Sequence, residues 1–118
     1  MGNKIENKDR VDEQTLNMYS EINAKDVILE YLLLRGEDAC INKNGERLLF
    51  LDDLLDMALI VYRLKFSQTN KRYVSYWLSI NSKRQGIRYD EKRVFVPEEI
   101  YNEAKRRNDE FRKPTDIH

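Results

Sequence analysis

The residues of this chain that could do chemistry are cations and aromatic rings gathered between positions 62 and 97. Residues 62–93 hold nine Lys or Arg and two acids, a net charge of +7, whereas the whole chain sums to zero and the remainder carries −7. Trp77 and several Tyr residues lie in the same window. Interleaved cations and rings are typical of a polyanion-binding surface, because the charges displace counterions from phosphates and the rings pack on sugars or bases. A solvated charged face is the competing interpretation.

Groups that titrate or attack near neutral pH are scarce. The only histidine is His118, the last residue, and the only cysteine, Cys40, has no histidine to activate it. Asp52 and Asp56 could share a divalent metal, but acids in the first turns of a helix are ordinary partners of its dipole. The sequence has no glycine-rich phosphate loop and no zinc-ligand spacing. We therefore expect a protein that is not an enzyme and that uses no metal or cofactor.

The composition indicates a single globular domain. The chain has 118 residues, 41% apolar and 36% charged, which is enough for one hydrophobic core. A single cysteine favours a reducing compartment, and no apolar run approaches the ~20 residues of a membrane span. The polar N-terminus is not typical of a signal peptide. We expect a cytoplasmic protein without membrane contact, with a disordered arm over residues 1–12, one domain over 13–113 and a frayed tail over 114–118.

Capping residues and apolar spacing predict two helices in the first half of the chain. Asn23 is a good N-cap and Gly36 a good stop, so we expect the first helix over residues 24–35. A broad apolar face preceded by acids predicts the second helix over residues 51–64. A weaker apolar set allows a short helix within residues 13–22. Between the two helices, the turn residues at 42–45 predict a small hairpin, or a single strand at 47–50.

Two patterns compete in residues 71–81. As a helix, this segment would bury Val74, Trp77, Leu78 and Asn81 and turn Lys71, Arg72, Ser75, Tyr76 and Ser79 outward. As a strand, it would alternate Val, Tyr, Leu and Ile at positions 74, 76, 78 and 80. Local propensity favours the strand, whereas the order of elements along the chain favours the helix.

The sequence of the last third of the chain predicts a hairpin and a helix. Residues 87–89 and 93–96 would pair around a three-residue turn at 90–92. A final helix begins at Pro97 and runs to residue 113, with acids first and bases last, as the helix dipole prefers. Its apolar seam is thin and consists of Ile100, Tyr101, Ala104 and Phe111.

This succession of elements resembles the winged helix-turn-helix family over residues 24–97. The residues that carry the resemblance are VSYWL at 74–78, Gly86-Ile87, and RVFVP at 93–97. It implies an α+β, mostly helical fold, with a short β-hairpin wing and a C-terminal helix. In that family the third helix enters the major groove and the wing contacts the neighbouring backbone or minor groove. Residues 82–85 would form a loop between helix and wing.

Carried over position by position, the resemblance gives a candidate DNA-binding surface. Its residues are Asn70, Lys71, Arg72, Ser75, Tyr76, Ser79, Lys83, Arg84, Arg88, Lys92 and Arg93. The first expectation is therefore a small DNA-binding regulator of transcription or replication, of viral or plasmid origin, whose partner is double-stranded DNA. Its C-terminal helix could close the domain or form a homodimer.

A second expectation belongs to another class of protein. It is a compact α+β interaction module or inhibitor in which residues 72–96 form a three-stranded meander that docks on a partner protein. Residues 62–93 form a basic window, and the residues outside it carry a net charge of −7. That negative charge would then matter as well, since acidic surfaces can mimic nucleic acid.

Overall fold

A computed structural model describes residues 19–112 of the chain. The expected arm over residues 1–12 and tail over 114–118 lie outside the described residues. Within 19–112 the protein is an α+β domain, mostly helical, with four helices of eleven residues or more and a four-stranded antiparallel sheet. The elements are α1 (Ala24–Arg35), a short 3₁₀ helix (Glu37–Ala39), β1 (Ile41–Lys43), β2 (Glu46–Phe50), α2 (Leu51–Val61), α3 (Gln68–Arg84), β3 (Tyr89–Asp90), β4 (Arg93–Phe95) and α4 (Glu98–Arg112).

Helix α1 has the bounds that its caps predict. The Asn23 side chain accepts a hydrogen bond of 3.1 Å from the Asp26 amide, which satisfies one of the free donors of the first turn. At the other end Gly36 has φ +93°, and its amide donates to the Leu32 carbonyl at 2.8 Å. A residue with a Cβ is strained at this positive φ, so the glycine stops the helix.

Helix α2 is shorter than predicted and ends at Val61 rather than at residue 64. Arg63 adopts the left-handed conformation with φ +57°. Its amide donates to the Ile60 carbonyl at 3.1 Å, and the Leu64 amide donates to the Leu59 carbonyl at 2.8 Å. This pair of bonds is the Schellman arrangement, which normally has glycine in place of Arg63. The sequence therefore lacked the usual stop signal.

Residues 72–80 are helical, so the prediction of a strand from local propensity is wrong, and so is the three-stranded meander over 72–96. Helix α3 begins after Ser67, whose hydroxyl accepts from the Asn70 amide at 3.1 Å. Its buried residues are Val74, Leu78, Asn81 and Ser82, a helical spacing. Tyr76 alternates with Val74 and Leu78 in sequence but is exposed. The helix also includes residues 82–84, which were expected in a loop.

The sheet has the strand order β1-β2-β4-β3. The first hairpin turns at Asn44 and Gly45, whose φ angles of +54° and +79° are those of the type I′ turn that Asn-Gly favours. Strand β2 pairs with β4, so that Leu49 faces Val94 across the ladder and both side chains are buried. One face of the sheet thus packs against the helices, and the neighbouring Arg93 and Phe95 lie on the other face.

The second hairpin turns in two residues, not three. Asp90 pairs directly with Arg93, and the turn consists of Glu91 and Lys92 at φ +51° and +63°. The Lys92 carbonyl accepts from the Leu51 amide at 2.8 Å, so the tip of the hairpin is fastened to the start of α2. This hairpin is therefore short and held against the body of the domain.

The C-terminal half of α4 is attached to the domain by polar contacts instead of an apolar seam. Ile100 and Ala104 are buried, but Phe111 is 91% exposed, contrary to the sequence prediction. Glu37, only 5% exposed, accepts from the Asn108 amide group at 2.8 Å and from the Arg112 guanidinium at 3.1 Å. These hydrogen bonds, that of Asn108 first, lower the pKa of Glu37 from 4.5 to about 2.

We expect Glu37→Gln to lower the free energy of unfolding by about 1–3 kcal/mol near neutral pH, because a charge-assisted network is lost. A folded-state pKa of about 2 against 4.5 means that the contribution is complete above pH 4.5 and disappears as the pH falls toward 2. The measurement is urea unfolding of both proteins across that range. Glu30→Gln, an exposed change on α1, is the control. A difference between Glu37→Gln and wild type that is independent of pH would contradict this assignment.

Candidate nucleic-acid interface

The outward face of α3 carries a stripe formed by Arg72, Tyr76, Ser79 and Lys83. Their spacing of four, three and four residues keeps them on one side of the helix, away from Val74, Leu78 and Asn81. Arg72 and Lys83 are exposed, and Tyr76 is 59% exposed. The Ser79 hydroxyl donates to the Tyr76 carbonyl at 2.8 Å, so it already has a partner within the helix. Cations thus stand at both ends of the stripe, with an aromatic ring between them.

Tyr73 extends this stripe, although the sequence reasoning assigned it no role. Its ring is exposed and stacks on the ring of Tyr19, with centroids 5.2 Å apart. Arg72, Tyr73 and Tyr76 together line a concavity of about 310 Å³ on the surface of α3. The available signal was the spacing of three residues between the two tyrosines, which places them on neighbouring parts of one face.

Ion pairing separates the cations of the basic window from those of α4. Every described cation of α4 lies in an ion pair with an acid of α4 itself, and Arg112 also pairs with Glu37. Within residues 19–112 the following six cations of the basic window have no acidic partner: Arg63, Lys65, Arg72, Lys83, Arg84 and Lys92. Their charge is therefore available to an anionic ligand, whereas that of α4 is locally compensated.

Asn70 and Lys71 are held by the domain itself. The Asn70 side chain donates to the Lys65 carbonyl at 2.8 Å and accepts from the Tyr19 hydroxyl. The Lys71 ammonium lies 3.7 Å from Asp56 of α2, and not on the outward stripe where the helical pattern placed it. Both residues belong to the packing of α3, so we give them no part in the interface proposed below. Ser75 is half-buried on the flank of the helix.

The C-terminal end of α3 brings cations onto aromatic rings. The Lys83 ammonium is 6.0 Å from the centre of the Tyr89 ring in β3. The Arg84 guanidinium is 5.7 Å from the centre of the Trp77 ring, which is half-buried against the core. These contacts orient the two cations without neutralising them.

Two of the expected wing contacts, Arg88 and Arg93, are compensated by acids. Arg88 makes a double hydrogen bond to Glu46 at 2.8 and 2.9 Å, and this pairing raises the pKa of the guanidinium. Arg93 pairs with Asp90 at 3.3 Å and with Glu91 at 3.2 Å. Lys92, at the turn of the β3–β4 hairpin, is the cation of this hairpin without an acidic partner among residues 19–112.

Residues 19–112 contain no group of three or more His, Cys, Asp or Glu side chains that could hold a metal ion. Asp56, considered above with Asp52 as a metal ligand, faces Lys71. Cys40 is half-buried, and burial raises its pKa to about 11, so its thiol is protonated at neutral pH. No helix within the described range is long and apolar enough to cross a membrane.

Comparisons with family models, with curated proteins and with solved structures found no match for this chain.

Replacing Tyr76 and Trp77 should separate binding from packing. We expect Trp77→Ala to lower the free energy of unfolding by about 2 kcal/mol, less than for a fully buried ring, because Trp77 is half-buried. Tyr76→Ala should change it by about 0.5 kcal/mol or less, because the ring is exposed. Thermal unfolding of the two variants checks this. A Tyr76→Ala variant less stable than Trp77→Ala would show that the two faces of α3 are reversed.

Proposed function

We propose that the protein binds double-stranded DNA through the outward stripe of α3, assisted by Lys92 at the turn of the β3–β4 hairpin. The observation that carries this proposal is the exposed line Arg72, Tyr76, Lys83, whose cations have no acidic partner within residues 19–112. Free cations on an exposed surface favour binding of a polyanion, because counterions are released from its phosphates.

The dimensions of α3 support a duplex as the ligand. The stripe runs eleven residues from Arg72 to Lys83, which corresponds to about 16 Å along the helix axis at 1.5 Å per residue. A major groove of about 12 Å width admits a single α-helix whose outward side chains reach base edges. In this arrangement Arg72 reads a guanine, and Tyr73 and Tyr76 pack on sugars or on a thymine methyl group.

The order of elements supports a winged helix-turn-helix as the finer description of the fold. Helices α2 and α3 are joined by a short connection, β2 comes between α1 and α2, and β3–β4 follows α3 as a hairpin. In this description α3 is the recognition helix and the hairpin is the wing. The short wing reaches only the phosphates next to the groove, through Lys92. Arg88 and Arg93 hold the sheet together through their acidic partners.

The compensated cations of α4 provide a matched control for the proposed contacts. Arg72→Gln/Lys83→Gln and Lys105→Gln/Arg106→Gln both remove two positive charges from exposed helical positions. Duplex affinity of the wild type should fall with salt at a log–log slope of about −3 to −5. The α3 variant should reduce the magnitude of that slope by about two and weaken binding at low salt, whereas the α4 variant should leave both nearly unchanged.

Fluorescence anisotropy with a labelled duplex at several salt concentrations makes this measurement. Equal losses for the two variants would mean that only net charge matters, and would contradict a specific role for α3. Absence of duplex binding at about 10 µM protein and low salt would remove DNA as the ligand.

Single replacements should separate base reading from backbone contact. Against a duplex enriched by selection, we expect Arg72→Ala to lower the preference over a scrambled duplex by about 1–3 kcal/mol. Lys92→Ala should weaken both duplexes by a similar factor, because a phosphate contact carries no sequence information. Affinities of each variant for the two duplexes give the result. If Arg72→Ala weakens both duplexes equally, α3 does not read bases.

A further inference from the structure

A second surface of the protein is a groove between α1 and α2 that is lined by both apolar and charged side chains. It has a volume of about 310 Å³. It lies next to the C-terminal end of α1, the outer side of α2 and the loop that follows α2. Three of its apolar side chains are strongly exposed: Leu34 at 68%, Ile60 at 56% and Phe66 at 59%. The groove is lined by Tyr31, Leu34, Arg35, Asp52, Asp53, Asp56, Met57, Ile60 and Phe66.

The hydrophobic core of the domain forms without these three side chains. Leu34 lies beyond the buried positions of α1, and Ile60 lies on the opposite side of α2 from Leu54 and Ala58. An exposed apolar side chain alone is ordinary, but several that share one groove with a polar rim are typical of a protein-binding site. The groove therefore has the composition of a docking surface.

The rim of the groove is acidic. Asp52, Asp53 and Asp56 are exposed along one side of α2. Of these three acids, only Asp56 has a cation as partner within residues 19–112, namely Lys71 at 3.7 Å. The pKa of Tyr31, on the floor of the groove, is raised, first by burial and then by the charge of Asp53. An occupant thus meets apolar side chains beside the acids of α2, with Arg35 of α1 as the one cation among the lining residues.

We infer that this groove binds a basic amphipathic segment of a partner protein, a helix with apolar residues on one side and Lys or Arg beside them. The apolar side would cover Ile60 and Phe66, and the cations would pair with Asp52 and Asp53. Charge complementarity selects this occupant. Nucleic acid is excluded from the acidic edge by repulsion.

The C-terminal helix α4 of a second copy of the chain fits the groove less well. Its most exposed apolar side chain is Phe111, near the end of α4. The cations that precede Phe111 on α4 are held by acids of the same helix, Glu103, Asp109 and Glu110. Among the described residues of α4, no cation is without an acidic partner and able to pair with Asp52 and Asp53.

The groove and the outward stripe of α3 share no residue. An occupant of the groove therefore leaves Arg72, Tyr76 and Lys83 free. The inference does not depend on the proposed function, since it would hold for a protein that binds no DNA. If both hold, the protein connects a duplex to a basic partner.

The test uses a fluorescein-labelled synthetic helical peptide of about 15 residues, with Leu on one face and Lys on the other. A matched peptide carries Glu in place of Lys. We expect the basic peptide to bind the full chain with a Kd of about 1–50 µM, and the acidic peptide to bind at least tenfold more weakly. Equal binding of the two peptides, or no binding of the basic peptide at about 200 µM, would overturn the inference.

Substitutions locate the binding site. Ile60→Ser/Phe66→Ser should weaken peptide binding at least tenfold, whereas Phe111→Ser, which removes the most exposed apolar side chain elsewhere, should not. Asp53→Asn should weaken binding about threefold to tenfold, and Asp26→Asn, an acid in the first turn of α1, should have no effect. These side chains are exposed, so the variants should remain folded. Loss of binding in the two control variants would place the peptide elsewhere and overturn the inference.

Sedimentation of the protein alone tests the second copy as occupant. We expect a monomer at about 100 µM. Self-association that is abolished by Ile60→Ser/Phe66→Ser would assign the groove to another copy of this chain and overturn the inference of a basic partner.

Discussion

The rotation of α3 about its own axis is the constraint on which the rest of the structure depends. Two polar side chains of α3, and that of Gln85 directly after it, fix it by binding residues 19–25 at the start of α1. The Asn81 side chain donates to the Ile22 carbonyl at 2.7 Å in a buried position, and Gln85 accepts from the Lys25 amide at 3.3 Å. Near the start of α3, Asn70 accepts from the Tyr19 hydroxyl. Buried groups that lose such partners cost about 1–3 kcal/mol each, so these contacts determine which face of the helix is outward.

Charge is distributed in accordance with that orientation. On α4, cations alternate with acids and form ion pairs at spacings of three and four residues, which solubilise the helix and contribute little to stability. On α3 the outward positions carry Arg72 and Lys83 without acids, although an acid at a neighbouring turn would have been the simplest way to compensate them. The acids are instead on the outer side of α2, beside the groove between α1 and α2. One small domain therefore has two surfaces of opposite charge.

Much of the fold could be predicted from local signals. Asn23 and Gly36 bound α1 correctly because a cap and a stop act within a few residues. Asn44-Gly45 predicted the first turn for the same reason. The end of α2 and the second turn were missed because Arg63, Glu91 and Lys92 adopt left-handed conformations that glycine or asparagine usually occupy.

The parts that could not be predicted depend on contacts between distant residues. The sequence of α3 fits a strand as well as a helix, whereas in the folded domain Leu78 is buried at helical spacing and Asn81 binds the distant Ile22 carbonyl. The compensation of Arg88 by Glu46 joins residues 42 positions apart, so the sequence alone counted Arg88 among the contacts for DNA. Arg72, Tyr76 and Ser79 were predicted on the outward face because helical spacing alone determines it once α3 is a helix, whereas Lys83 was expected in a loop.

The most direct test of this account is an NMR titration of the full chain with a short DNA duplex, observing backbone amide and arginine side-chain signals. The account predicts that the largest shifts occur along α3, at Arg72, Tyr73, Tyr76, Ser79 and Lys83, with a smaller shift at Lys92. It also predicts that Asp53, Ile60 and Phe66 remain unchanged. Shifts concentrated on α4 or around the groove between α1 and α2, with α3 unaffected, would contradict it.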